Sequence, residues 1–424
     1  MTEKLTRVVI VGGGFGGLEA AKRLGRELDT LVTVIDRRNH HLFQPLLYQV
    51  AMAGLSPSDI AMPIRTLLSK YRNTEVLMGE ALRVDRDARQ LICDFGRVPY
   101  DYLILACGAS HSYFGHGEWE EHAPGLKTLE QAVEIRRRVL LSFELAERER
   151  DPARRRMLQT FVVVGGGATG VELAGALGEI SRHTLSRDFD HIDPGNTRII
   201  LIEAEPRILG GFDERLSRKA MRDLERLGVT VWTSTRVSGI QEGKVTLGNE
   251  TVEANTIIWA AGVKPSPFNA RLELPLDPIG RLIVNKDLTI PGSDNIYAIG
   301  DQIRFENTDG TPLPGQAPAA MQQGRWAARN ILRAMKGKTR LPFKFTDKGQ
   351  MATIGRKRAI AEFKGLRMSG PLAWWAWLLV HIYYLVGFKN RLFVMIQWAW
   401  AYFTWGKGAR LVTGGRWQIG ETGQ

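Results

Sequence analysis

Residues 6–17 read TRVVIVGGGFGG, a short β-branched run that passes directly into a glycine-rich turn. Such a run is typical of a buried parallel strand. The turn carries the pattern GxGxxG at Gly12, Gly14 and Gly17, and a helical pattern follows it. A second β-branched run ends at Asp36, 19 residues after Gly17. A strand, glycines, a helix, a strand and an acid in this order predict a βαβ unit that binds a dinucleotide.

Each of these residues has a physical task in such a unit. The first glycine permits a tight turn, the second lets backbone N–H groups approach a pyrophosphate, and the third lets the helix pack closely on the strand. The N-terminus of the helix adds partial positive charge, which attracts phosphate. Asp36 is placed to accept hydrogen bonds from the ribose hydroxyls of the nucleotide.

The same unit recurs in the middle of the chain. Phe161–Val164 leads into a second turn with glycines at 165, 167 and 170, and a strand at 198–202 ends at Glu203. Two dinucleotide sites in one chain imply transfer between two dinucleotides, most simply NAD(P)H and FAD. An acid after both strands would repel a 2′-phosphate, which favours NADH over NADPH. Arg207 leaves this preference open, because it is close enough in sequence to reach the same ribose.

The composition limits the class of protein. With 424 residues, 44% of them hydrophobic and 24% charged, the chain is a globular protein of two or three domains. Two cysteines, Cys93 and Cys107, exclude a disulfide framework and a multi-cysteine metal site. His40 and His41 have no further ligands at metal spacing, so no metal is predicted. The N-terminus has no signal-peptide pattern, from which we expect a cytosolic protein.

Positive charge and tryptophan are concentrated at the C-terminal end. Lys and Arg number 57 against 45 Asp and Glu, a net charge of +12. Residues 331–424 hold 16 Lys and Arg and 3 Asp and Glu, a net of +13, so residues 1–330 carry −1. Of the 11 Trp, 7 lie from Trp374 to Trp417. Any partner that recognises the charge is therefore a partner of the C-terminal region.

Two aromatic, nearly uncharged runs, Pro371–Phe388 and Leu392–Gly406, form the centre of this region. As helices they would be roughly 27 and 22 Å long, against a hydrocarbon core of about 30 Å. Asn390, Gln397 and Thr404 are seven apart and share one helical face. We expect flat insertion into the membrane interface beside anionic lipid, with a spanning hairpin or a soluble oligomer core as alternatives. Nucleic acid is not expected, because the basic residues flank the aromatic ones instead of interleaving with them.

Three further segments complete the pattern of a known superfamily. Residues 102–108 and 256–262 are strands ending in A-x-G, and residues 296–301 are a strand ending in Gly-Asp. With the two glycine motifs, they resemble the two-dinucleotide-binding-domain flavoproteins of the pyridine-nucleotide-disulfide reductase superfamily. The resemblance implies non-covalent FAD at Gly12, Gly13, Gly14, Phe15, Gly16, Gly17, Asp36, Arg37, Ala81, Gly108, Gly300 and Asp301. It implies NADH at Gly165, Gly167, Thr169, Gly170, Glu203 and Gly262.

Several segments are similar to the type II, non-proton-pumping NADH:quinone oxidoreductases in particular. They are Asn39–Ala51, Ala123–Thr128, Gly165–Ala174, Leu313–Gly324 and Phe345–Arg356, together with the aromatic C-terminal region. The resemblance implies that Glu172, just after the second glycine motif, lies between nicotinamide and flavin and takes part in proton handling. It also implies a homodimer.

The quinone motif of that family departs from its usual form here. The motif is often A-Q-x-A-x-Q, whereas residues 317–322 read APAAMQ, so Pro318 replaces a glutamine and offers no hydrogen bond. Pro318 fits the first turn of a helix that we expect to run to about Met335, before Gly337. The implied quinone contacts are Ala317, Pro318, Ala320, Met321, Gln322 and Lys389, with Lys348 and Lys389 as candidates for proton delivery.

These observations predict an α/β fold of two Rossmann-like dinucleotide-binding domains, an FAD domain with an inserted NADH domain, plus a C-terminal amphipathic helical membrane-binding region. The predicted boundaries are residues 1–115 and 284–340 for the FAD domain, 116–283 for the NADH domain, and 341–424 for the membrane-anchoring region. Thr128–Gln131 resembles a capping box that opens the helix leading into the NADH domain.

The predicted function is NADH oxidation with reduction of a membrane quinone through FAD, without proton pumping, by a peripheral enzyme at the cytoplasmic face of the inner membrane. A first alternative is a flavin-dependent NAD(P)H reductase with another acceptor, or a sulfide:quinone-type enzyme, which would need a reactive Cys107. Cys93 and Cys107 are 14 residues apart and do not form the close redox pair of the disulfide-reducing members. A second, non-enzymatic alternative is a membrane-anchored NADH sensor.

Overall fold

The computed structural model describes residues 5–307, 310–404, 406 and 408–413. Trp405 and Trp417, and with them part of the predicted membrane-anchoring region, lie outside the described residues. By packing, the chain forms two compact units. The first contains residues 5–42, Ala61–Ser110 and Val263–Lys348, and the second contains Phe43–Ile60, His111–Gly262 and the described part of residues 349–413.

The bounds of the regular elements follow the chain order. The strands are β1 Thr6–Val11, β2 Thr30–Asp36, β3 His40–Leu42, β4 Ala61–Pro63, β5 Thr74–Met78, β6 Ala81–Asp85, β7 Gln90–Cys93, β8 Gly96–Pro99, β9 Tyr102–Leu105, β10 Ala109–His111, β11 Thr160–Val164, β12 Arg198–Ile202, β13 Val229–Trp232, β14 Gly239–Gln241, β15 Lys244–Leu247, β16 Glu250–Glu253, β17 Thr256–Trp259, β18 Val263–Pro265, β19 Leu282–Ile283, β20 Ile296–Ala298, β21 Ile303–Arg304, β22 Gln350–Gly355, β23 Arg358–Phe363 and β24 Leu366–Ser369. The α-helices are α1 Phe15–Leu24, α2 Leu47–Ala51, α3 Pro57–Ile60, α4 Ile64–Leu68, α5 Trp119–His122, α6 Leu129–Arg148, α7 Pro152–Leu158, α8 Ala168–Glu179, α9 Glu214–Arg226, α10 Ala317–Met335, α11 Pro371–Tyr384 and α12 Phe388–Thr404.

A parallel five-stranded sheet in the order β20-β9-β1-β2-β5 forms the centre of the first unit. β1 lies between β9 and β2, and its residues Val8 to Val11 are buried, as its β-branched run predicts. α1 packs on α10 at close range, because a Cβ on Gly324 would overlap the carbonyl oxygen of Gly16. The first glycine turn therefore sits where β1 ends and α1 begins, at the carboxyl edge of the sheet.

The second unit repeats this arrangement. Its parallel sheet has the order β13-β12-β11-β17, and all residues of β11 are buried. α8 follows β11 across the second glycine turn. The Thr128 side chain accepts a hydrogen bond from the Gln131 backbone N–H, and the Gln131 side chain accepts one from the Lys127 N–H, which satisfies two free donors at the start of α6.

The last part of the second unit is an antiparallel sheet, β22-β23-β24, followed by α11 and α12. α8 packs against β22 at Gly175, where a Cβ would overlap the carbonyl oxygen of Ile354. α11 and α12 have 14 and 17 residues, or roughly 21 and 26 Å. Among the described residues, no helix combines the length and the apolar character that a membrane crossing requires.

The structure confirms the main predictions of fold. The α/β class, both βαβ units and the C-terminal helices are present. α10 begins at Ala317 with Pro318 in its first turn and ends at Met335, and Gly337 adopts a φ of +64°. The boundary between the two C-terminal helices differs from the one that the apolar runs suggested. Leu385 is extended and Gly387 has a φ of +91°, so α11 ends at Tyr384 and α12 already starts at Phe388. The predicted domain boundaries stay a prediction.

Candidate functional site

The first glycine turn has the geometry that its sequence pattern requires. Gly12 has a φ of +103°, and a Cβ on Gly17 would overlap the carbonyl oxygen of Gly12. The carboxylate of Asp36 accepts hydrogen bonds from the backbone N–H groups of Gly13 at 2.6 Å and Arg38 at 2.8 Å. The acid at the end of β2 thus holds the turn in place, at the position where a ribose is expected.

The second glycine turn reproduces this geometry. Gly165 has a φ of +109°, and a Cβ on Gly170 would overlap the Gly165 carbonyl oxygen. The carboxylate of Glu203 accepts hydrogen bonds from the N–H groups of Gly166 at 2.6 Å and Glu205 at 2.8 Å. Although the crossover is longer in this unit, Glu203 takes the place that Asp36 has in the first.

The surroundings of the second turn are open to a ligand. Gly167 and Thr169 are exposed at the start of α8, so the N-terminal N–H groups of the helix are accessible. Gly262 has a φ of +73°. Arg207, the residue that left the choice of nucleotide open, donates a hydrogen bond to the carbonyl oxygen of Gly210 at 2.8 Å.

The other residues predicted to bind FAD lie in the first unit. Gly14 is exposed, and a Cβ on it would meet nothing within 4 Å, so the turn can receive a phosphate. Gly300 has a φ of +80° and its N–H donates to the Gln323 side chain at 2.7 Å, while Asp301 lines a small cavity of about 30 Å³. Of the remaining predicted residues, Gly16 and Ala81 are buried, Phe15 and Gly108 are half-buried, and Arg37 is exposed.

His41, next to this turn, has a structural environment. Its Nδ1 lies 3.0 Å from the Gly13 carbonyl oxygen and its ring meets Phe15 edge-on, with 5.1 Å between ring centroids. Burial lowers the pKa of His41 to about 4, so the ring is neutral. No group of three or more His, Cys, Asp or Glu side chains that would suit a metal occurs within the residues that the structure describes.

The second unit contains a cavity of about 140 Å³ among α2, α8, β22 and the C-terminal helices. α8 contributes Glu172, Ala176 and Glu179, which share one face because they are four and seven residues apart. Aromatic and polar side chains from the other elements complete the wall, among them Tyr48, Gln49, Thr353, Trp374, Trp377, Trp398 and Tyr402. A cavity of about 150 Å³ holds one benzene ring, so this one suits a single six-membered ring and not a whole dinucleotide.

Glu172 is the carboxyl group with the most perturbed acidity in this cavity. Burial raises the pKa of Glu172 to about 8, and the Thr353 N–H, 3.4 Å from Oε1, opposes this only in part. At neutral pH the side chain is therefore mostly protonated and can donate a proton. The sequence singled out Glu172 itself, but it showed the surrounding residues only as members of family-like segments or of the aromatic runs, with no sign that they meet in one cavity.

None of the predicted quinone contacts lines this cavity. Ala317, Pro318, Ala320, Met321 and Gln322 belong to α10 of the first unit. The Gln322 side chain exchanges two hydrogen bonds of 2.9 Å with the backbone of Thr346, so both its amide groups are engaged. Lys389 is at the start of α12, with its ammonium 5.7 Å from the centroid of the Phe393 ring.

Neither cysteine has the acidity of a redox-active thiol. Burial, with a smaller contribution from the Asp36 carboxylate, raises the pKa of Cys107 to about 12. Burial also raises the pKa of Cys93 to about 11. Because the thiolate is the nucleophile, both side chains are inert near neutral pH.

α11 and α12 expose many large apolar side chains, and we name the following set the apolar face. Its members are Leu372, Trp375, Leu379, Tyr383, Phe388, Leu392, Phe393, Ile396, Trp400 and Phe403. Of the polar residues of α12, Asn390 donates a hydrogen bond to the Ser58 carbonyl oxygen, whereas Thr404 is exposed and donates to the carbonyl oxygen of Trp400 within the helix. His381 is buried against Trp377, which lowers its pKa to about 4, so it adds no charge to the face at neutral pH.

Comparison with known proteins gives consistent matches. A family model described as pyridine nucleotide-disulphide oxidoreductase matches residues 6–324, and one described as NDH2 C-terminal domain matches residues 348–404. Two relatives from Mycobacterium tuberculosis, "Type II NADH:quinone oxidoreductase Ndh" and "Type II NADH:quinone oxidoreductase NdhA", are 39% and 40% identical over 96% of this chain and are covered to 90% and 89%. The structure of NDH2 from Plasmodium falciparum has a TM-score of 0.87 at 19% identity, covering 96% of this chain and 99% of that one, which supports the fold.

Proposed function

We propose, from the premise that this chain belongs to the family of type II NADH:quinone oxidoreductases, that it oxidises NADH and reduces a membrane quinone through non-covalently bound FAD. The observation that carries the proposal is the cavity beside the second glycine turn. It combines a protonated carboxyl group, Glu172, with aromatic walls from α11 and α12, the helices that expose the apolar face.

The first glycine turn suits FAD. Its glycines leave no Cβ in the space that a pyrophosphate needs, α1 directs its N-terminal N–H groups to that space, and Asp36 is held at the ribose position. We assign the cofactor to the predicted residues from Gly12 to Asp301. The chemistry that FAD supplies when bound is two-electron transfer from a nicotinamide to a quinone.

We assign NADH to the second glycine turn. Glu203 is fixed by two backbone hydrogen bonds, so a 2′-phosphate at this position would meet a carboxylate that cannot swing away easily. The Arg207 guanidinium, which would attract such a phosphate, is engaged with Gly210. NADH is therefore the expected substrate. NADPH turnover at an equal rate would contradict this assignment.

Glu172 follows this turn by two residues and we assign it the proton-handling role. Reduction of a quinone to a quinol consumes two electrons and two protons. A carboxyl group with a pKa of about 8 is protonated in neutral solution and lies close enough to pH 7 to be recharged after each turnover. Thr353 and Glu179 are polar residues that line the same cavity as Glu172.

We propose that the quinone ring enters the cavity from the lipid side, past the apolar face. Exposed apolar area of this extent marks an interaction surface, and Trp and Tyr are favoured at the membrane interface. Cations accompany it, since Arg356 stacks on Tyr402 at 4.1 Å and Lys389 lies at the start of α12. This arrangement supports the proposal of flat binding to an anionic lipid surface, and we propose the cytoplasmic face of the inner membrane as its location. A homodimer and the predicted domain boundaries are also part of the proposal.

The alternatives receive less support. A sulfide-oxidising enzyme requires a reactive thiol, and burial keeps Cys107 protonated. A Cys107→Ser enzyme with full NADH:quinone activity would exclude that chemistry. A sensor without turnover would not need a protonated carboxyl group beside its nucleotide turn.

The test is steady-state turnover of the purified protein with NADH and a short-chain quinone. We expect bound flavin, quinone-dependent oxidation of NADH, and formation of one quinol for each NADH. Bound flavin without quinone-dependent oxidation would contradict the proposed function.

A further inference from the structure

Three side chains of the cavity form a hydrogen-bond chain that starts on α12. The indole N–H of Trp398 donates to Oε1 of Gln49 at 2.8 Å. The amide nitrogen Nε2 of Gln49 donates to the hydroxyl oxygen of Tyr48 at 2.9 Å. All three residues line the cavity that contains Glu172.

The direction of this chain is fixed by its first member. An indole nitrogen can only donate, so the group of Gln49 that faces Trp398 must be the carbonyl oxygen. The amide nitrogen of Gln49 then has to face Tyr48, which removes the usual ambiguity in orienting a glutamine side chain. Because the Tyr48 oxygen accepts from this amide, the proton of the hydroxyl is left to point towards another acceptor.

The Tyr48 hydroxyl lacks such an acceptor among the hydrogen bonds that the structure describes. The side chain is 6% exposed, so bulk water does not readily supply one. Burial and the neighbouring Glu172 raise the pKa of Tyr48 well above its usual value, which keeps the group a donor. A buried donor without an acceptor costs about 1–3 kcal/mol, and a ligand with a carbonyl oxygen in the cavity would recover this free energy.

We propose that Tyr48 donates a hydrogen bond to a carbonyl oxygen of the quinone ring, and that Gln49 and Trp398 orient it for this purpose. The inference rests on the proposed function, since it names the group that recognises the quinone. Tyr48 keeps its proton, and the bond becomes stronger as negative charge develops on the carbonyl oxygen during reduction.

Gln49 and Trp398 act as positioning residues in this arrangement. Trp398 belongs to α12, whose other side presents the apolar face. The position of α12 therefore determines where the Gln49 amide points. Through this amide it also determines the direction of the Tyr48 hydroxyl. Recognition of the quinone is linked in this way to the helix that we place at the lipid surface.

The direct test is Tyr48→Phe, which removes only the hydroxyl. We expect kcat/KM for a short-chain quinone to fall by about tenfold to a hundredfold. NADH oxidation with ferricyanide, an acceptor without a carbonyl group, should keep its rate and its KM for NADH. Tyr100→Phe is the matched control, because Tyr100 is fully buried in the first unit and its hydroxyl has no hydrogen-bond partner in the described structure.

The outcomes separate this inference from the proposed function. An unchanged kcat/KM for quinone in Tyr48→Phe would overturn the inference, as would an equal loss with ferricyanide. A raised KM for NADH alone would place the nicotinamide, and not the quinone, beside Tyr48. A wild-type enzyme without quinone-dependent activity would instead refute the proposed function.

A second variant tests the orientation. Trp398→Phe keeps a ring but removes the N–H, so the Gln49 amide is free to turn and the quinone kcat/KM should fall by about threefold to tenfold. Combining it with Tyr48→Phe should add no further loss, because both act on one hydrogen bond. If the losses in quinone kcat/KM of the two single variants multiplied in the double variant, the proposed coupling of Trp398 to Tyr48 through Gln49 would be wrong. Trp326→Phe, which removes an indole hydrogen bond to the Leu341 carbonyl oxygen in the first unit, controls for the loss of an N–H donor elsewhere.

Discussion

Glu172 owes its chemistry to its surroundings more than to its residue type. Glu172 is the fifth residue of α8, just beyond its first turn, where the helix dipole still weakly favours an ionised acid. Burial in the cavity outweighs this effect and raises the pKa of Glu172 to about 8. The competition between dipole and burial therefore decides that the group enters the reaction as an acid.

Glu172→Gln is expected to lower quinone-linked turnover at pH 7 by about a hundredfold, because an amide cannot donate a proton. The wild-type rate should fall as the pH rises through about 8, and this alkaline fall should be absent from the pH–rate profile of the variant. The measurement is kcat from pH 6 to about 9.5, a range that spans this pKa. A variant whose rate still falls near pH 8 would show that a group other than Glu172 titrates there.

The same shift has a consequence for stability. A carboxyl group with a folded-state pKa of about 8, above its usual 4.5, binds its proton more tightly in the folded protein. Its contribution to the free energy of unfolding is complete below about pH 4.5 and is lost as the pH rises to 8. Thermal unfolding should therefore show Glu172→Gln gaining stability relative to the wild type between these pH values, which also checks that the variant is folded.

At the scale of elements, α12 has different surroundings on its two sides. Trp398 reaches the cavity, whereas Ile396 and Phe403 are 57% and 79% exposed. A helix with one side in the protein and the other side apolar suits an interface between protein and lipid.

Ile396→Glu combined with Phe403→Glu is expected to weaken binding to anionic vesicles by at least a hundredfold, because burial of each side chain contributes about 1.5–3 kcal/mol. Leu28→Glu, at a residue that is 91% exposed in the first unit, is the matched control and should bind normally. The measurement is co-flotation with vesicles of mixed neutral and anionic lipid. Unchanged flotation of the double variant would contradict the assignment of the apolar face.

The elements divide into those that the sequence can predict and those that it cannot. β1, β11 and β12 were predictable because a β-branched run followed by a glycine turn has few other solutions. α10 was predictable from Pro318 and Gly337. The break between α11 and α12 was misplaced, because hydropathy does not register the extended Leu385 before Gly387.

The cavity could be predicted only in part. Glu172 follows a motif and so has a local signal. Tyr48, Gln49 and Trp398 meet through tertiary structure, and the hydrogen bond from Trp398 to Gln49 joins residues 349 positions apart. The seven-residue spacing of Asn390, Gln397 and Thr404 was visible in the sequence. The contact between Asn390 and Ser58, in contrast, depends on tertiary packing.

At the scale of the whole molecule, the chain contains two dinucleotide sites built to one plan. In both, the third glycine has no room for a Cβ, since one on Gly17 or Gly170 would overlap the carbonyl oxygen of the first glycine of its turn. In both, the acid after the second strand bonds to the backbone of the turn. A substitution at the equivalent glycine of one site should therefore impair that site's nucleotide without impairing the other site.

Gly17→Ala is expected to yield protein with little bound flavin. Gly170→Ala is expected to yield protein that keeps its flavin, but NADH should reduce this flavin at least tenfold more slowly. In each variant the new Cβ displaces the helix from its glycine turn. Flavin absorbance and its bleaching by NADH in the absence of quinone measure the two effects. Gly117→Ala is the control, since a Cβ there meets nothing within 4 Å. Loss of flavin from Gly170→Ala and its retention in Gly17→Ala would reverse the assignment of the two sites.

α8 carries several of these tasks on 12 residues. It starts at the second glycine turn, bears Glu172 as its fifth residue, lines the cavity with Ala176 and Glu179, and touches the backbone of β22 through Gly175. A displacement of this helix would alter nucleotide binding, acidity and cavity shape together. Engineering this cavity for a different acceptor should therefore begin with residues of α2, α11 or α12, since changes there can leave α8 in place.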